Sequence, residues 1–421
     1  MTTSAPASVA TAANARATPE PPTGRRYLQF VVVLGALISL GPLSIDMYLP
    51  ALPDLRDELS ASESATQLTL TGMLLGLAVG QLIIGPLSDA FGRRRPLLVG
   101  LSVHALASVL CAMAPSVEML AGVRLVQGFA GAAVTVTAMA MVRDQFEGIA
   151  VARLISRLML VIGLAPMLAP SLGSVVLQWS SWRGIFAVLA AAAVLLVGLA
   201  FVGLRETLPV ERRQPARIRS SLRTYRSLLS DGTFVALALI GGLMMGAMFT
   251  YISGASFVLQ DGFGLSATQF AVVFGVNALA LVIASQVNPI LLGRFRITSV
   301  MTSAASVALL AALALVFAGV TGIGGLAGVL VPLTVILACA GLNNPNVPAL
   351  ALNRHGEAAG AAAAVLGCMQ FGVGGLVSPL VGAFGSETAA PMGAVMATVV
   401  GLALALLVLV VRRDEQVRAF A

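Results

Sequence analysis

Long apolar runs separated by short polar segments make up most of this chain. A helix needs about 20 apolar residues to span a bilayer, and twelve of the runs approach or exceed that length. The runs are continuous and do not alternate with a period of two, which excludes transmembrane barrel strands. The pattern predicts membrane-spanning helices near residues 27–49, 67–87, 96–114, 119–141, 153–177, 182–203, 231–257, 267–291, 299–319, 326–351, 358–383 and 389–411.

The order of the runs predicts two similar halves. Six spans fall in residues 27–203 and six in residues 231–411, with a basic linker, residues 204–230, between them. A Pro-x-x-Gly sequence recurs in spans five and eleven, which supports an internal repeat. The predicted fold class is therefore an all-α polytopic membrane protein with twelve transmembrane helices in two six-helix bundles.

Both termini are predicted to be polar tails on the cytoplasmic side. Residues 1–26 are rich in Ala, Thr, Ser and Pro, a composition typical of disorder, and residues 412–421 follow the last span. Arg25 and Arg26 precede the first span and leave a twin-arginine export signal as an alternative. The following apolar run exceeds the about 7–15 residues of such a signal, which favours a retained span.

Composition places most of the chain in lipid. Of 421 residues, 58% are hydrophobic and only 10% are charged, whereas a soluble protein carries about 25% charged residues. The sequence pI of 10.3 suggests nucleic acid as a partner, but the basic linker has no aromatic side chain beyond Tyr225, so we expect none. The three cysteines lie in apolar runs, so no disulfide framework, metal or cofactor is expected. The protein is expected to be a monomer.

The basic residues predict the orientation in the membrane. All 25 are arginines, and with both termini inside, all but Arg56, Arg124 and Arg183 fall on the cytoplasmic side. The loop after the first span is acidic instead. This one-sided distribution follows the positive-inside rule and predicts an even number of spans.

Two ionisable residues inside spans are the first candidates for chemistry. Asp46 lies late in span one and Arg124 early in span four, and each costs at least about 2.5–3.5 kcal/mol to insert at a span centre. Burial favours the neutral form of a carboxylic acid and a nearby arginine favours the ionised form, so Asp46 is our candidate proton-coupling residue with Arg124 as its modulator. The alternatives are an Asp46 that caps a turn in water and an Arg124 that only bonds backbone carbonyls.

Neutral polar and adaptable apolar residues are the candidates for a substrate cavity. The spans of the second half carry no charge between residues 232 and 260, 265 and 293, or 297 and 353. Methionine-rich walls accommodate varied ligands, although ordinary packing is the commoner role of such a stripe. The cavity candidates are Met47, Tyr48, Gln127, Met139, Met245, Met248, Phe249, Tyr251, Asn277, Asn343 and Gln370.

Small residues and prolines predict where helices pack closely or bend. Gly72, Gly76 and Gly80 lie on one face of span two, where another helix can approach. Pro166 and Pro170, followed by Gly173, remove hydrogen bonds from span five and allow bending. His104 is alone in span three and is predicted to be a buried histidine with its hydrogen bonds satisfied, which disfavours a membrane metalloenzyme.

The loop between spans two and three carries the most specific motif. Residues 85–96 read Gly-Pro-Leu-Ser-Asp-Ala-Phe-Gly-Arg-Arg-Arg-Pro and resemble the signature loop G-x-L-S-D-x-x-G-R-R of the major facilitator superfamily. Such a loop is predicted to act both as a latch released during transport and as an anchor of topology. The gating candidates in it are Gly85, Asp89, Gly92, Arg93 and Arg94.

Further segments extend the resemblance over residues 27–411. Span four resembles the superfamily's R-x-x-Q-G motif through Arg124, Gln127 and Gly128. In span five, residues 169–174 resemble the antiporter motif, with Ala-Pro-Ser-Leu-Gly-Ser in place of G-P-x-x-G-G. Residues 44–53, 143–144, 182–186 and 205–209 are similar to the Bcr/CflA group of drug exporters.

This resemblance implies a transporter with twelve helices and alternating access. It implies export of amphipathic, drug-like small molecules in exchange for protons across a bacterial inner membrane, with no enzymatic activity. A nucleotide-driven pump is excluded, because the motif G-x-x-x-x-G-K-[ST] requires a lysine. Proton-coupled uptake of a nutrient by the same fold is the alternative, and a non-transporting receptor or scaffold is a remote one.

Overall fold

The computed structural model describes residues 24–146, 149–213, 218–385 and 388–413. The predicted tails therefore lie mostly outside the described residues. Within the described residues the secondary structure is entirely helical, and twelve helical segments are long and apolar enough to cross a membrane. The predicted number of spans and their order are confirmed.

Seven helices form the first half, with six spans among them. The first span consists of α1 and the short α2, and each later helix is one span. The helices are α1 Gly24–Asp46, α2 Leu52–Glu58, α3 Glu63–Phe91, α4 Arg94–Ala112, α5 Val117–Gln145, α6 Ile149–Leu177 and α7 Trp182–Gly203.

The second half follows an additional linker helix, α8 Ile218–Ser230. Spans ten and eleven each consist of two helices. In span seven, α9 is followed by a π-helical turn, Phe257–Gly262. The helices are α9 Gly232–Ser256, α10 Ala267–Leu292, α11 Ile297–Thr321, α12 Gly325–Asn343, α13 Asn346–Asn353, α14 Ala359–Val377, α15 Leu380–Ala383 and α16 Ala390–Arg413.

Side-chain caps explain where several helices begin. Ser62 accepts a hydrogen bond from the Ala65 amide at 3.1 Å and starts α3 four residues before the predicted span. Ser266 and Gln269 form a reciprocal capping box at the start of α10. Each cap satisfies amides that the first helical turn leaves without partners.

Prolines interrupt three spans that the hydropathy pattern predicts as continuous. α1 ends before Pro50, α12 before Pro345 and α14 before Pro379. A proline has no N–H for the carbonyl four residues earlier and its ring crowds that turn, which favours a break at these three positions. Hydropathy does not detect these breaks, because the residues around them remain apolar.

Close helix packing along span two is confirmed. A Cβ at Gly72 or Gly76 would collide with backbone carbonyls of α5, at Ala121 and Leu125 respectively. Gly80 is equally close to the Ala132 methyl group. The glycine face therefore lets α3 and α5 approach to backbone contact.

The two bundles meet along two pairs of helices, α3 with α14 and α6 with α10. The Gly163 backbone of α6, for example, faces Val282 of α10, and a Cβ there would lie 3.3 Å from it. We call the end of the molecule that carries residues 91–95 the basic end and the end that carries residues 49–62 the opposite end.

The linker contains a helix that the hydropathy pattern does not predict. Helix α8 packs against the basic end, where the Tyr225 hydroxyl donates to the Leu82 carbonyl of α3 at 2.8 Å. The linker between the halves is thereby attached to the first bundle, and α8 also packs against α9 and α14 of the second.

Candidate transport site

Asp46 is the last residue of α1, at the break in the first span. Pro50 has no N–H to donate to the Asp46 carbonyl, and the chain continues through a 3-10 turn, Leu49–Ala51. The Asp46 side chain is 3% exposed, and its Oδ1 atom has no hydrogen-bond partner. Of the two alternatives that the sequence left open, the structure places Asp46 inside the bundle.

Arg124 of α5 is fully buried beside the same break. Its Nη1 donates to the Ser44 carbonyl at 2.7 Å and to Gln127 Oε1 at 3.0 Å, and its Nε lies 3.4 Å from the Thr69 carbonyl. The guanidinium stacks over Tyr48, 4.3 Å from the ring centroid. These contacts hold the positive charge against an aromatic face and against carbonyl oxygens.

Asp46 and Arg124 share this region without forming an ion pair. Arg124 binds the backbone two residues before Asp46 and acts electrostatically on its carboxyl group, but the two side chains do not come within 4.0 Å. Arg124 Nη2 is buried and, like Asp46 Oδ1, has no partner. A donor and an acceptor without a protein partner are therefore both buried near the break in the first span.

His104 connects the three helices around this pair. Its Nδ1 lies 3.3 Å from the Gln127 carbonyl, which only accepts, so Nδ1 carries the hydrogen. Its Nε2 lies 3.1 Å from Ser44 Oγ. The Ser44 hydroxyl is also 2.7 Å from the Leu40 carbonyl, and its single hydrogen serves only one of the two acceptors at a time.

The prediction that His104 is buried with satisfied hydrogen bonds is confirmed. Its partners were not predicted, because Ser44 lies 60 positions away in the chain. The same network includes Ser108, whose hydroxyl accepts from Gln127 Nε2 at 2.8 Å. Burial of isolated polar residues in one bundle is the signal that would have indicated such a network.

A second polar chain lies in the other bundle. Asn277 Nδ2 donates to the Tyr251 hydroxyl at 3.0 Å, and the Thr334 hydroxyl donates to Asn277 Oδ1 at 2.7 Å. Tyr251 also stacks on Phe274, with ring centroids 5.2 Å apart. Helices α9 and α10, which carry Tyr251 and Asn277, contact the 3-10 turn Leu49–Ala51 that follows Asp46 in the first bundle.

The other cavity candidates of the second bundle line the helices that face α3. Met245 and Met248 are half-buried on α9, and Phe249 packs against Phe371 of α14 with centroids 6.2 Å apart. Gln370, also half-buried, lies on α14 beside them. These four candidates therefore share the α9 and α14 pair.

The remaining cavity candidates are more scattered. Asn343 is buried, and its amide bonds back to the Cys339 carbonyl at 3.2 Å within its own helix. The Met47 carbonyl packs against Gly173 of α6, where a Cβ would collide with it. Met139 packs into the core near the basic end of the first bundle, a cluster separate from the one that contains Tyr48.

The loop after α3 forms a charged cluster at the basic end. Arg93 binds Asp89 at 2.5 Å and Asp144 of α5 at 2.8 Å, and its amide donates to Glu206 at 2.8 Å. Burial opposes the charge of Arg93, but these two carboxylates outweigh it and raise the pKa of the guanidinium. Gly92 has a φ of 86°, and a Cβ there would lie 2.5 Å from Glu206 Oε2, so only glycine fits.

The other gating candidates have weaker contacts. Arg94 Nη2 donates to the Phe201 carbonyl at 2.6 Å and its guanidinium lies 5.0 Å from the Phe201 ring centroid. Gly85 has open space where a Cβ would be. Pro166 and Pro170 lie inside α6, which continues through both.

Hydrogen bonds between the two bundles concentrate at the opposite end. The Thr71 hydroxyl of α3 donates to the Gly375 carbonyl of α14 at 2.9 Å. Gln67 is 1% exposed; it donates to the Ser253 carbonyl at 3.3 Å and accepts from the Gly382 amide at 2.9 Å. Sequence analysis missed these residues, because no local pattern marks a contact between halves.

Further bonds complete this closure. The Ser256 hydroxyl donates to the Leu49 carbonyl at 2.7 Å, and Gln260 donates to the Pro50 carbonyl at 3.1 Å. We call the cross-bundle contacts of residues 49–71 with residues 253–261 and 375–382 the seal. The seal closes the interface between the two bundles, over the stretch from the break after α1 to the opposite end of the molecule.

Comparison with known proteins assigns this architecture. The family model described as Major Facilitator Superfamily matches residues 34–379. The chain belongs to the major facilitator superfamily. It is therefore a multi-pass membrane transporter for small molecules and not an enzyme, as the sequence predicts.

Relatives of this transporter support the narrower resemblance. It is 41% identical to the "Uncharacterized MFS-type transporter YdgK" of Bacillus subtilis over 89% of this chain and 93% of that protein. It is 30% identical to the "Bicyclomycin resistance protein homolog" of Haemophilus influenzae over 86% and 91% of the two chains. It is also 30% identical to the "Multidrug resistance protein MdtL" of Salmonella paratyphi C over 64% and 67%.

Solved transporters share the fold. The transporter superimposes on a D-xylose-proton symporter with a TM-score of 0.71 at 16% identity, over 90% of this chain and 97% of the other. A bacterial homologue of the lysosomal transporter Spinster, in an inward-facing and unoccupied conformation, gives 0.71 at 16% identity over 94% and 99%.

Proposed function

We propose that this transporter exports drug-like, amphipathic small molecules across a bacterial inner membrane in exchange for protons. The observation that carries the proposal is the buried Asp46 carboxyl group. Its Oδ1 has no partner, and it lies at a helix break beside the unpaired Nη2 of Arg124. Relatives named for bicyclomycin and multidrug resistance support drugs as the cargo.

Asp46 is the proposed proton carrier because its charge can change while that of Arg124 cannot. An arginine side chain stays protonated in proteins, so Arg124 supplies a constant positive field. Loss of a proton from Asp46 creates a charge that Arg124 attracts, and gain of a proton removes that attraction. A small shift of α1, whose backbone Arg124 holds at Ser44, can thus follow protonation.

Cargo is proposed to bind between the two polar networks. Tyr48 on one side and Tyr251 with Asn277 on the other are buried in this conformation and are the proposed aromatic and amide contacts of the cargo once the bundles open. Met245 and Met248 add a flexible apolar wall of the kind that accepts different shapes. Such a site suits amphipathic molecules, because its few polar groups lie among aromatic and methionine side chains.

The arginine distribution orients the proposed cycle. The basic end is proposed to face the cytoplasm, by the positive-inside rule, together with both termini. The seal then separates Asp46 from the outside. Protonation from outside requires the seal to open, which links the proton to alternating access.

Transport in proteoliposomes with an imposed pH gradient tests the proposal. We expect Asp46→Asn to abolish gradient-driven transport of a fluorescent cationic drug and to leave the fold intact. Asp54→Asn is the matched control, since Asp54 is an exposed acid in α2, the second helix of the same span. Undiminished driven transport by Asp46→Asn would remove Asp46 from the mechanism.

Drug susceptibility of a pump-deficient host tests the direction. Expression of the wild-type protein should raise resistance to a panel of amphipathic compounds and lower their accumulation. Increased accumulation of the compounds would contradict export and favour uptake.

A further inference from the structure

A groove on the outside of the first bundle contains Arg95. Of the three arginines at positions 93–95, Arg95 is the one whose side chain has no partner among the described residues. The groove lies near the basic end, where α3, α4 and α5 meet, and has a volume of 340 Å³. Its lining is apolar apart from a single charged side chain. The residues that matter here are Ile84, Phe91, Arg95, Val99, Phe129 and Ala133.

Arg95 differs from its two neighbours in having no protein partner. Arg93 is paired with two carboxylates, and Arg94 with the Phe201 carbonyl and ring. The Arg95 side chain is exposed and forms no hydrogen bond or ion pair with any part of the chain that the structure describes. Its charge is therefore available to a molecule outside the protein.

The walls of the groove face lipid in a membrane. Phe91 is 52% exposed and Val99 is 62% exposed, on the flank of two spans. The floor is tight, because a Cβ at Gly100 would lie 2.7 Å from the Ala133 methyl group, so α4 and α5 almost touch there. The groove is thus a slot open to the side, with an apolar floor and walls.

Arg95 lies at the depth of lipid headgroups. It is the second residue of α4, a span that begins at Arg94. The amides of Arg93 and Arg94 at this helix start are already bound by Glu206, so the guanidinium is what an anion would meet. Basic pockets between helices at a membrane surface are suited to anionic lipid headgroups.

We propose that this groove is a binding site for one anionic phospholipid, with an acyl chain along Val99 and Phe129 and the phosphate on Arg95. The apolar slot selects a lipid over a free phosphate, and the unpaired charge selects an anionic over a zwitterionic headgroup. The bound lipid would join α3, α4 and α5 next to the Arg93 cluster. The site is independent of the proposed cargo and of proton coupling.

Native mass spectrometry of the full-length protein tests the site. Phosphatidylglycerol and phosphatidylcholine with identical acyl chains are titrated in detergent. We expect wild-type protein to retain one phosphatidylglycerol more tightly than phosphatidylcholine, whose cationic choline offsets the charge of its phosphate. Arg95→Gln should lose about fivefold in affinity for phosphatidylglycerol and less for phosphatidylcholine. Arg296→Gln is the matched control, since Arg296 is exposed at the start of α11 and its side chain is likewise unpaired among the described residues.

A second variant tests the apolar slot. Val99→Trp fills the groove from its lipid-facing side and should reduce retention of both lipids. Val194→Trp, at another position that is 62% exposed, should not. Equal affinity of wild type and Arg95→Gln for phosphatidylglycerol, or displacement of the lipid by millimolar inorganic phosphate, would overturn the proposal.

Discussion

Arg56 Nη1 lies 2.7 Å from Asp261 Oδ2 and joins α2 of the first bundle to the π-helical turn after α9 of the second. Arg56 also contacts Asp57 at 2.8 Å and Glu63 at 3.6 Å. Both partners of the cross-bundle pair are partly exposed, and such pairs contribute only about 0.2–1 kcal/mol. The ion pair therefore aligns the two bundles more than it holds them together.

Removal of this ion pair should weaken the seal only slightly. We expect Asp261→Asn to shift the equilibrium between sealed and open states by no more than about 1 kcal/mol, less at high salt. Distances between spin labels on the two bundles at the opposite end measure the shift. Asp57→Asn is the control, because Asp57 contacts Arg56 within the same bundle. A complete loss of the sealed state would show that the pair dominates the closure.

The bond between Thr71 and Gly375 should matter more. Pro379 lies four residues after Gly375 and cannot donate to its carbonyl, so Thr71→Val leaves this buried acceptor with only the longer contact to the Ser378 hydroxyl, at 3.4 Å. The expected cost to the sealed state is about 1–2 kcal/mol, or a roughly 5- to 30-fold shift toward the open state. The same spin-label distances measure it.

Two further variants make this prediction specific. Thr71→Ser retains the hydroxyl and should behave as wild type. Pro379→Ala returns an N–H to the helix, so the double variant Thr71→Val with Pro379→Ala should recover part of the loss. Equal effects of the serine and valine variants would contradict a role for the hydroxyl.

His104 should be replaceable by a side chain that keeps its donor. His104→Ala removes both bonds of the ring and should destabilise the protein by about 1–3 kcal/mol and reduce driven transport, because Ser44 and Arg124 lose their support. His104→Asn keeps an N–H for the Gln127 carbonyl and should recover part of both. Thermal unfolding in detergent and proteoliposome transport are the measurements. If His104→Ala matched the wild-type protein in stability and in transport, the network would have no positioning role.

Asp231 should make the stability of the second bundle depend on pH. It caps α9 by accepting from the Thr233 and Phe234 amides at 3.0 and 3.3 Å, and it binds Arg354 at 3.1 Å and His355 at 3.0 Å. Although partial burial acts against the charge, these bonds keep its pKa below the ordinary value. Its contribution is therefore complete above about pH 4 and lost as pH falls through the lower, folded-state pKa.

The corresponding experiment compares two variants of Asp231. Asp231→Ala should cost about 1–2 kcal/mol at pH 7, and the difference from wild type should shrink at pH 3. Asp231→Asn retains a capping oxygen without the charge, so its stability should lie between those of the wild type and Asp231→Ala. Thermal unfolding at the two pH values measures these stabilities. An equal difference between the wild type and Asp231→Ala at both pH values would contradict a role for the charge.

The sequence predicted the spans well because hydropathy is a local property. Each apolar run corresponds to a helical segment, and the glycine face of Gly72, Gly76 and Gly80 meets a neighbouring helix as expected. Burial of His104 followed from its isolation in an apolar run.

Contacts between distant segments could not be predicted in the same way. The partners of Arg124 come from Ser44 and Thr69, and those of Arg93 include Asp144 and Glu206, which hydropathy does not connect. The break at Asp46 depends on one proline whose neighbours are all apolar. The absence of an Asp46–Arg124 ion pair depends on side-chain geometry that no spacing rule fixes.

Hydration of the Gly375 carbonyl depends on the relative position of the two bundles. Pro379 denies it a helical donor in every conformation, and the Ser378 hydroxyl reaches it only at 3.4 Å, so a water molecule can take the place of Thr71 when Thr71 moves away. Opening this end therefore hydrates the interface. Osmolytes that are excluded from protein surfaces favour the dry state, so the osmotic conditions on that side of the membrane bias which way the transporter faces.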